Sequence, residues 1–335
     1  MPSDRSRPCV LCGGTEFRFV VTGYDRMQAR DEDFDYVRCI GCGLGTLAPL
    51  PTAEQILELY PENYLSNINA RTRDLDKAVN RLAIKYLYGV DSVSRWRVMR
   101  AVFRALSGRI LNGIHEPHGS NRLLDVGCGS GQLLEVYRTL GWHVCGIEIS
   151  PPACAACREK ALEVHQGTVF DAPFHVQQFD MILLSHVIEH VRDPVAVLKR
   201  VAEFLAPEGR IIITTPNLHG IGFSIYGSCW FHLDAPRHLF LFDPRTIRLL
   251  AASAGLTVVR AVTQSSPRSL CESRHYSRNQ GQQMPDDLAS RQALLLASAR
   301  RRRPDRIYRD LVSPFAYLSS LVGRGDILEA ELSAV

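Results

Sequence analysis

The sequence predicts an α/β protein: a doubly wound, mostly parallel seven-stranded sheet preceded by a small cysteine module and a helical linker. Three observations carry this prediction. From residue 122 onward, short apolar runs of strand character alternate with amphipathic helical patterns, as expected of a parallel sheet covered on both faces. Four of the ten cysteines form two Cys-x2-Cys pairs near the N-terminus. Apolar residues recur at helical spacing over 75–112, between the two regions. The 335 residues, 46% hydrophobic and 22% charged, have ordinary globular composition and suffice for about two domains. A net charge of +4 gives no argument for a polyanionic partner. Residues Met1–Arg7 lead into no apolar segment, and no membrane-length apolar run occurs, so a soluble cytoplasmic protein without a membrane span is expected. Thiols stay reduced in that compartment, which disfavours a disulfide framework.

The first segment, residues 1–48, is organised by Cys9-Val-Leu-Cys12 and Cys39-Ile-Gly-Cys42. Two such knuckles bring four thiolates to a tetrahedron around Zn²⁺, and a module this small has too little core to stand without a metal. Gly13, Gly14, Gly41 and Gly43 allow the tight turns. Glu16–Val21 and Phe34–Arg38 alternate as strands do, so a zinc-ribbon-like fold is expected. Four thiolates leave zinc no open position, which makes this site structural. Cys154 and Cys157 share the spacing but fall inside a helical pattern without a partner pair, and read as packing.

Residues 49–119 form the linker. Thr52-Ala-Glu-Gln55 is a capping-box pattern that starts a helix running through Leu59, and 75–112 predicts two more. The core spans 120–264, with strands at 122–127, 143–149, 162–166, 179–185, 210–215 and 256–262 and helices at 131–140, 151–161, 193–206 and 244–254. Residues 265–335 show helical character, an arginine cluster at 300–303, and a terminal stretch at 323–332 that supplies the last strand.

In such sheets the ligand sits at the carboxyl ends of the strands, against the first β-to-α turn. That turn is Asp125-Val-Gly127-Cys-Gly129-Ser-Gly131. A dinucleotide fingerprint needs glycine at 132, which is Gln. Asp125 suits an ammonium group and suits pyrophosphate poorly. Glu148 ends the next strand, placed to accept both ribose hydroxyls, and Asp171 lies near the third strand's end.

With these residues the sequence resembles the class I S-adenosylmethionine (SAM) methyltransferases, whose motif reads Asp-x-Gly-x-Gly-x-Gly with an acidic residue closing the second strand. The resemblance covers about 120–262. It implies a Rossmann-like SAM fold, with Asp125, Gly127, Gly129 and Gly131 around the methionine moiety, Glu148 on the ribose, and Thr168, Val169 or Asp171 at the adenine. It also places His186 beside the cofactor.

Methyl transfer to a hydroxyl needs alignment and removal of a proton. Two segments offer candidates: Ser185-His186-Val-Ile-Glu189-His190, and Trp230-Phe-His232-Leu-Asp234-Ala-Pro236-Arg237-His238-Leu. His238 is the first choice for general base, with Asp234 four residues earlier to orient it; the alternative is a hydrogen-bonding lid residue in this aromatic-rich loop. Glu189 and His190 are further catalytic candidates, though Glu-His here can simply bond backbone. The Trp-x-x-Leu-Asp-x-Pro-Arg-His-Leu stretch is similar to methyltransferases of bacterial polysaccharide and natural-product clusters, and some sugar C-methyltransferases carry an N-terminal zinc domain. These likenesses imply a small-molecule, sugar or lipid-linked glycan acceptor. The first segment also resembles ubiquinone-pathway and small-RNA 2′-O-methyltransferases, whose Glu-x-x-Glu-His and later His hold a divalent cation. Glu189, His190 and His238 match, with His186 in place of the first Glu, which implies a second metal at these four residues.

The leading expectation is therefore a SAM-dependent enzyme that methylates oxygen, or else carbon, of a small or glycan-linked acceptor. No Asn-Pro-Pro-Tyr motif follows the fourth strand, which argues against amide or base nitrogens. An RNA modifier gripping its substrate through the zinc ribbon is the alternative, but acids match the arginines in 1–46 and lysine is absent there, so nucleic acid is not the expected partner. A SAM-binding scaffold without catalysis is the third reading.

Overall fold

The computed structural model describes residues 7–26, 32–59, 119–278 and 306–334. The helices expected over 75–112 and the arginines at 300–303 lie outside these residues. The chain forms two compact units, one of residues 1–59, 186–198 and 213–332, the other of 60–185, 199–212 and 333–335.

In the first unit, β1 (Phe17–Tyr24), β2 (Asp33–Cys39) and β3 (Gly45–Ala48) form an antiparallel meander. Helix α1 (Ala53–Glu58) follows, and Thr52 and Gln55 exchange the two hydrogen bonds of a capping box (2.8 and 3.3 Å).

The second unit carries the parallel strands β4 (Arg122–Val126), β5 (His143–Glu148), β6 (Glu163–Gln166) and β7 (Phe179–Ser185). Helices α2 (Gln132–Thr139) and α3 (Pro151–Glu159) alternate with them. Buried Leu123, Leu134, Tyr137, Trp142, Met181 and Leu183 fill its core. Cys154 and Cys157 are fully buried on α3, as packing residues.

Downstream come α4 (Pro194–Phe204), β8 (Leu205–Pro216), α5 (Ile221–Tyr226), β9 (Phe240–Leu241), α6 (Pro244–Ser253), β10 (Leu256–Gln264), α7 (Pro267–Arg278), α8 (Arg306–Leu321) and β11 (Ile327–Ala334). Asp193 and Asp243 cap α4 and α6 by accepting the N–H groups of Ala196 (2.9 Å) and Thr246 (2.8 Å). The main sheet has seven strands in the order β10-β11-β8-β7-β4-β5-β6. The terminal stretch thus supplies a strand, inserted between β10 and β8. Strand β9 joins the N-terminal meander instead, pairing antiparallel with β3 (Gly45 opposite Leu241, Thr46 opposite Phe240). The cysteine module is therefore built into the segment that follows His238.

Candidate active site

The two knuckles fold alike. Gly13 and Gly43, both at positive φ, donate to the carbonyls of Cys9 (2.8 Å) and Cys39 (2.9 Å). The Sγ atoms of Cys9 and Cys42 stand 3.5 Å apart, as do those of Cys12 and Cys39, and all four lie within 4.8 Å of one another. A disulfide needs about 2.05 Å, whereas a tetrahedron with metal–sulfur bonds of about 2.3 Å puts its sulfurs about 3.8 Å apart. Backbone donors hold Cys39 at about 7 against burial.

In the second unit, the turn after β4 has Gly127, Gly129 and Gly131 all at positive φ. A Cβ on Gly131 would meet Leu162 at 2.4 Å, so packing requires glycine there. A Cβ on Gly129 would meet nothing within 4 Å, so that side of the turn is open to a ligand. Glu148 accepts the N–H groups of Gly129 and Ser150, one on each carboxylate oxygen, both at 2.8 Å. It clamps the turn to the end of β5. Burial and the charge of Glu148 push Asp125 up to about 8, a carboxylate set up to gain from an incoming cation. Asp171 accepts from the N–H (2.6 Å) and hydroxyl (3.0 Å) of Thr168, and the buried Val169 gives its carbonyl to Arg200 (3.2 Å).

The other candidates gather in the first unit. Glu189 is fully buried, and its carboxylate takes the Thr215 hydroxyl (3.0 Å) and faces His186 Nδ1 (3.1 Å). Burial would raise Glu189, but the His186 hydrogen bond and the nearby imidazoles overcome it and hold the group at about 2. His190 Nδ1 lies 2.9 Å from the Arg237 carbonyl, and His238 Nδ1 lies 2.8 Å from the His232 carbonyl. Carbonyl oxygens only accept, so each Nδ1 carries a proton, and in the neutral ring Nε2 presents the lone pair. His238 Nε2 lies 4.0 Å from Glu189, and the rings of His190 and His238 meet edge to face, centroids 4.6 Å apart. Burial, aided by the neighbouring His238 imidazole, drops His190 to about 4 and keeps it neutral.

Two expectations change. Asp234 does not primarily orient His238: its two oxygens go to Arg237 (2.6 and 3.1 Å) and leave His238 Nε2 at 4.0 Å. The guanidinium fork matches a carboxylate with two bonds, which an imidazole cannot. The ligand atoms within 4.8 Å are those of Glu189, His190 and His238, without His186. His186, at φ 55 beyond β7, spends its Nδ1 on Glu189.

The sequence reading missed the strut behind this cluster. Arg237, only 1% exposed, also donates to the buried Asp25 (3.0 Å). Tyr36, fully buried on β2, donates its hydroxyl to the His238 carbonyl (2.7 Å), and Leu47 donates its N–H to Leu239 (2.9 Å). The one local signal for Tyr36 was its place in the alternating stretch Phe34–Arg38; nothing local pointed from Asp25 to Arg237.

A glycine turn open on one side, clamped by an acidic residue at the neighbouring strand's end, defines an α/β protein with room for a ligand at its first β-to-α turn. Residues 90–261 match a family described as a methyltransferase domain. The chain belongs to that family and is a class I SAM-dependent methyltransferase. It is 30% identical over 186 residues to the ubiquinone biosynthesis O-methyltransferase of Aeromonas salmonicida, covering 49% of this chain and 77% of that one. The same-named enzyme of Rhodopseudomonas palustris is 35% identical over 109 residues, 31% of this chain and 43% of its own length. Among solved structures, a SAM-dependent methyltransferase from Archaeoglobus fulgidus aligns with a TM-score of 0.44 at 16% identity, covering 69% of this chain and 93% of that one.

Proposed function

We propose that the enzyme transfers the SAM methyl group to a hydroxyl oxygen of a small-molecule acceptor, with His238 as the base. The observation that carries this is the pair of imidazoles, His190 and His238, each held at Nδ1 by a backbone carbonyl beside an ionised, buried Glu189. A proton taken by His238 leaves an imidazolium, which Glu189 stabilises. The relatives, named as O-methyltransferases of ubiquinone biosynthesis, support oxygen as the acceptor atom. The test is S-adenosylhomocysteine release across phenols, sugars and glycosides. Turnover with a hydroxylated compound, and its loss on methylating that hydroxyl beforehand, is expected. SAM binding without turnover on any hydroxyl overturns the reading and favours a scaffold.

In the same proposal Asp125, Gly127, Gly129, Gly131 and Glu148 hold SAM, with Thr168, Val169 and Asp171 toward the adenine, and the Cys9, Cys12, Cys39 and Cys42 thiolates hold a structural zinc. Asp125 makes the first part testable by pH. Ligand-free, it keeps its proton up to about pH 8, and binding the SAM ammonium expels that proton. SAM affinity should therefore rise with pH, by at most about tenfold per unit, between about pH 6 and the ammonium's own titration near 7.7–8.0. Calorimetry should show a flat profile in Asp125→Asn. A flat wild-type profile would remove Asp125 from the site.

A second reading, cation-assisted deprotonation, is favoured by the three ligand atoms within 4.8 Å. Glu189, His190 and His238 would hold a divalent cation such as Zn²⁺ or Fe²⁺, which lowers the pKa of a bound hydroxyl. Metal analysis of the full chain would then give two ions, falling to one in His238→Asn. One ion in both proteins rejects it.

A further inference from the structure

We infer that α8 is a docking surface for an anionic lipid bilayer, lying in the plane of the headgroups. One side of this helix is spoken for: Ala316 and Ser319 are buried, the Ser319 hydroxyl bonds Ser265 (3.1 Å), and Ser320 accepts the Ser265 N–H (2.7 Å). The other side is apolar and uncovered. Ile307, Leu311, Phe315, Leu318, Leu321 and Val322 are between 46% and 76% exposed, at the 4, 4, 3 and 3–4 residue steps that align side chains along one stripe. Single exposed apolar residues are ordinary, but a continuous stripe of six is a binding surface.

Charge selects the occupant. From residue 300 to 310 six of eleven residues are arginine against two aspartates, one of which, Asp310, pairs with Arg309 (3.2 Å), and exposed Arg324 lies just past the stripe's other end. The stripe itself carries no charge. An uncharged apolar band with arginines at its ends is the pattern of a helix that sinks about 5–10 Å into the headgroup boundary, where each cation near an anionic leaflet adds attraction. A second copy of this chain would bring the same excess of arginine, with only Asp305 and Asp310 against it. At 16 residues the helix is too short to span, and no helix among the described residues is long and apolar enough to cross a membrane.

The experiment is co-flotation of the full chain with phosphatidylcholine vesicles, neutral or with about one third phosphatidylglycerol, at about 0.1 M and 0.5 M salt. Binding to the anionic vesicles alone, weakening at high salt, is expected, with at least about a tenfold loss in Leu311→Asp/Leu318→Asp. Both residues face outward, so thermal midpoint and SAM binding should be kept. A second variant does not depend on a loss: Phe315→Trp should gain a blue-shifted emission component with anionic vesicles. Three outcomes overturn the proposal: no flotation of wild type, equal binding to neutral vesicles, or a wild-type dimer that the double variant splits without any flotation.

Discussion

With Cys9, Cys12, Cys39 and Cys42 holding zinc as proposed above, stripping that metal, or replacing Cys39 and Cys42 by serine, is expected to lower kcat by more than about 100-fold while SAM affinity changes by less than about threefold. Cys39 ends β2 and Cys42 lies just before β3. Those strands carry Tyr36, whose hydroxyl holds the His238 carbonyl, and Gly45 and Thr46, which pair with β9. A module of about 45 residues depends on its metal for folding. When it loosens, the carbonyl of His238 loses its donor and Asp25 leaves Arg237, a guanidinium with no exposed surface. Uncoupling such a buried pair costs about 3–5 kcal/mol. The glycine turn proposed to hold SAM belongs to the other unit, which is why binding and turnover should separate. Metal analysis, SAM calorimetry and initial rates on one preparation check this. Full activity in metal-free protein would mean that the module does not position His238.

That coupling marks the limit of what the sequence made legible. Strands β4 to β7 and helices α2 to α4 were readable within a residue or two because each buries its own apolar pattern, and local periodicity encodes that. The knuckles were readable because metal geometry constrains spacing between near neighbours. Pairing of β3 with β9 joins residues almost 200 apart, and the alternation of either strand is satisfied by any apolar partner. The same applies to Asp25 and Arg237. Within the candidate segment the proposed residues do lie together, but two of their partners differ from those expected. Spacing allows Asp234 to reach His238 at i+4 or Arg237 at i+3, and only the fork geometry of the guanidinium decides. His186 stands where a carboxylate ligand would be expected, yet its positive φ and its bond to Glu189 turn it into a partner of that carboxylate.

Glu189→Gln is expected to lower kcat by about 10²–10³-fold with KM for the acceptor within about threefold. The amide keeps the shape and can still accept the Thr215 hydroxyl, so the fold should survive. What it removes is the negative charge that lies 4.0 Å from His238 Nε2, where a positive charge forms as the hydroxyl proton moves. In a fully buried position that charge acts with little screening, and Asp234, also 4.0 Å from His238 Nε2, is balanced by Arg237 and so compensates only in part. Glu189→Ala should cost more and also destabilise, since it strands the buried Thr215 hydroxyl. His238→Asn supplies the decisive comparison. If base and carboxylate act as one unit, the double variant is no slower than the worse single variant. Additive losses would mean that Glu189 and His238 serve separate steps, and an unchanged kcat in Glu189→Gln would leave the carboxylate a purely structural partner of Thr215 and His186.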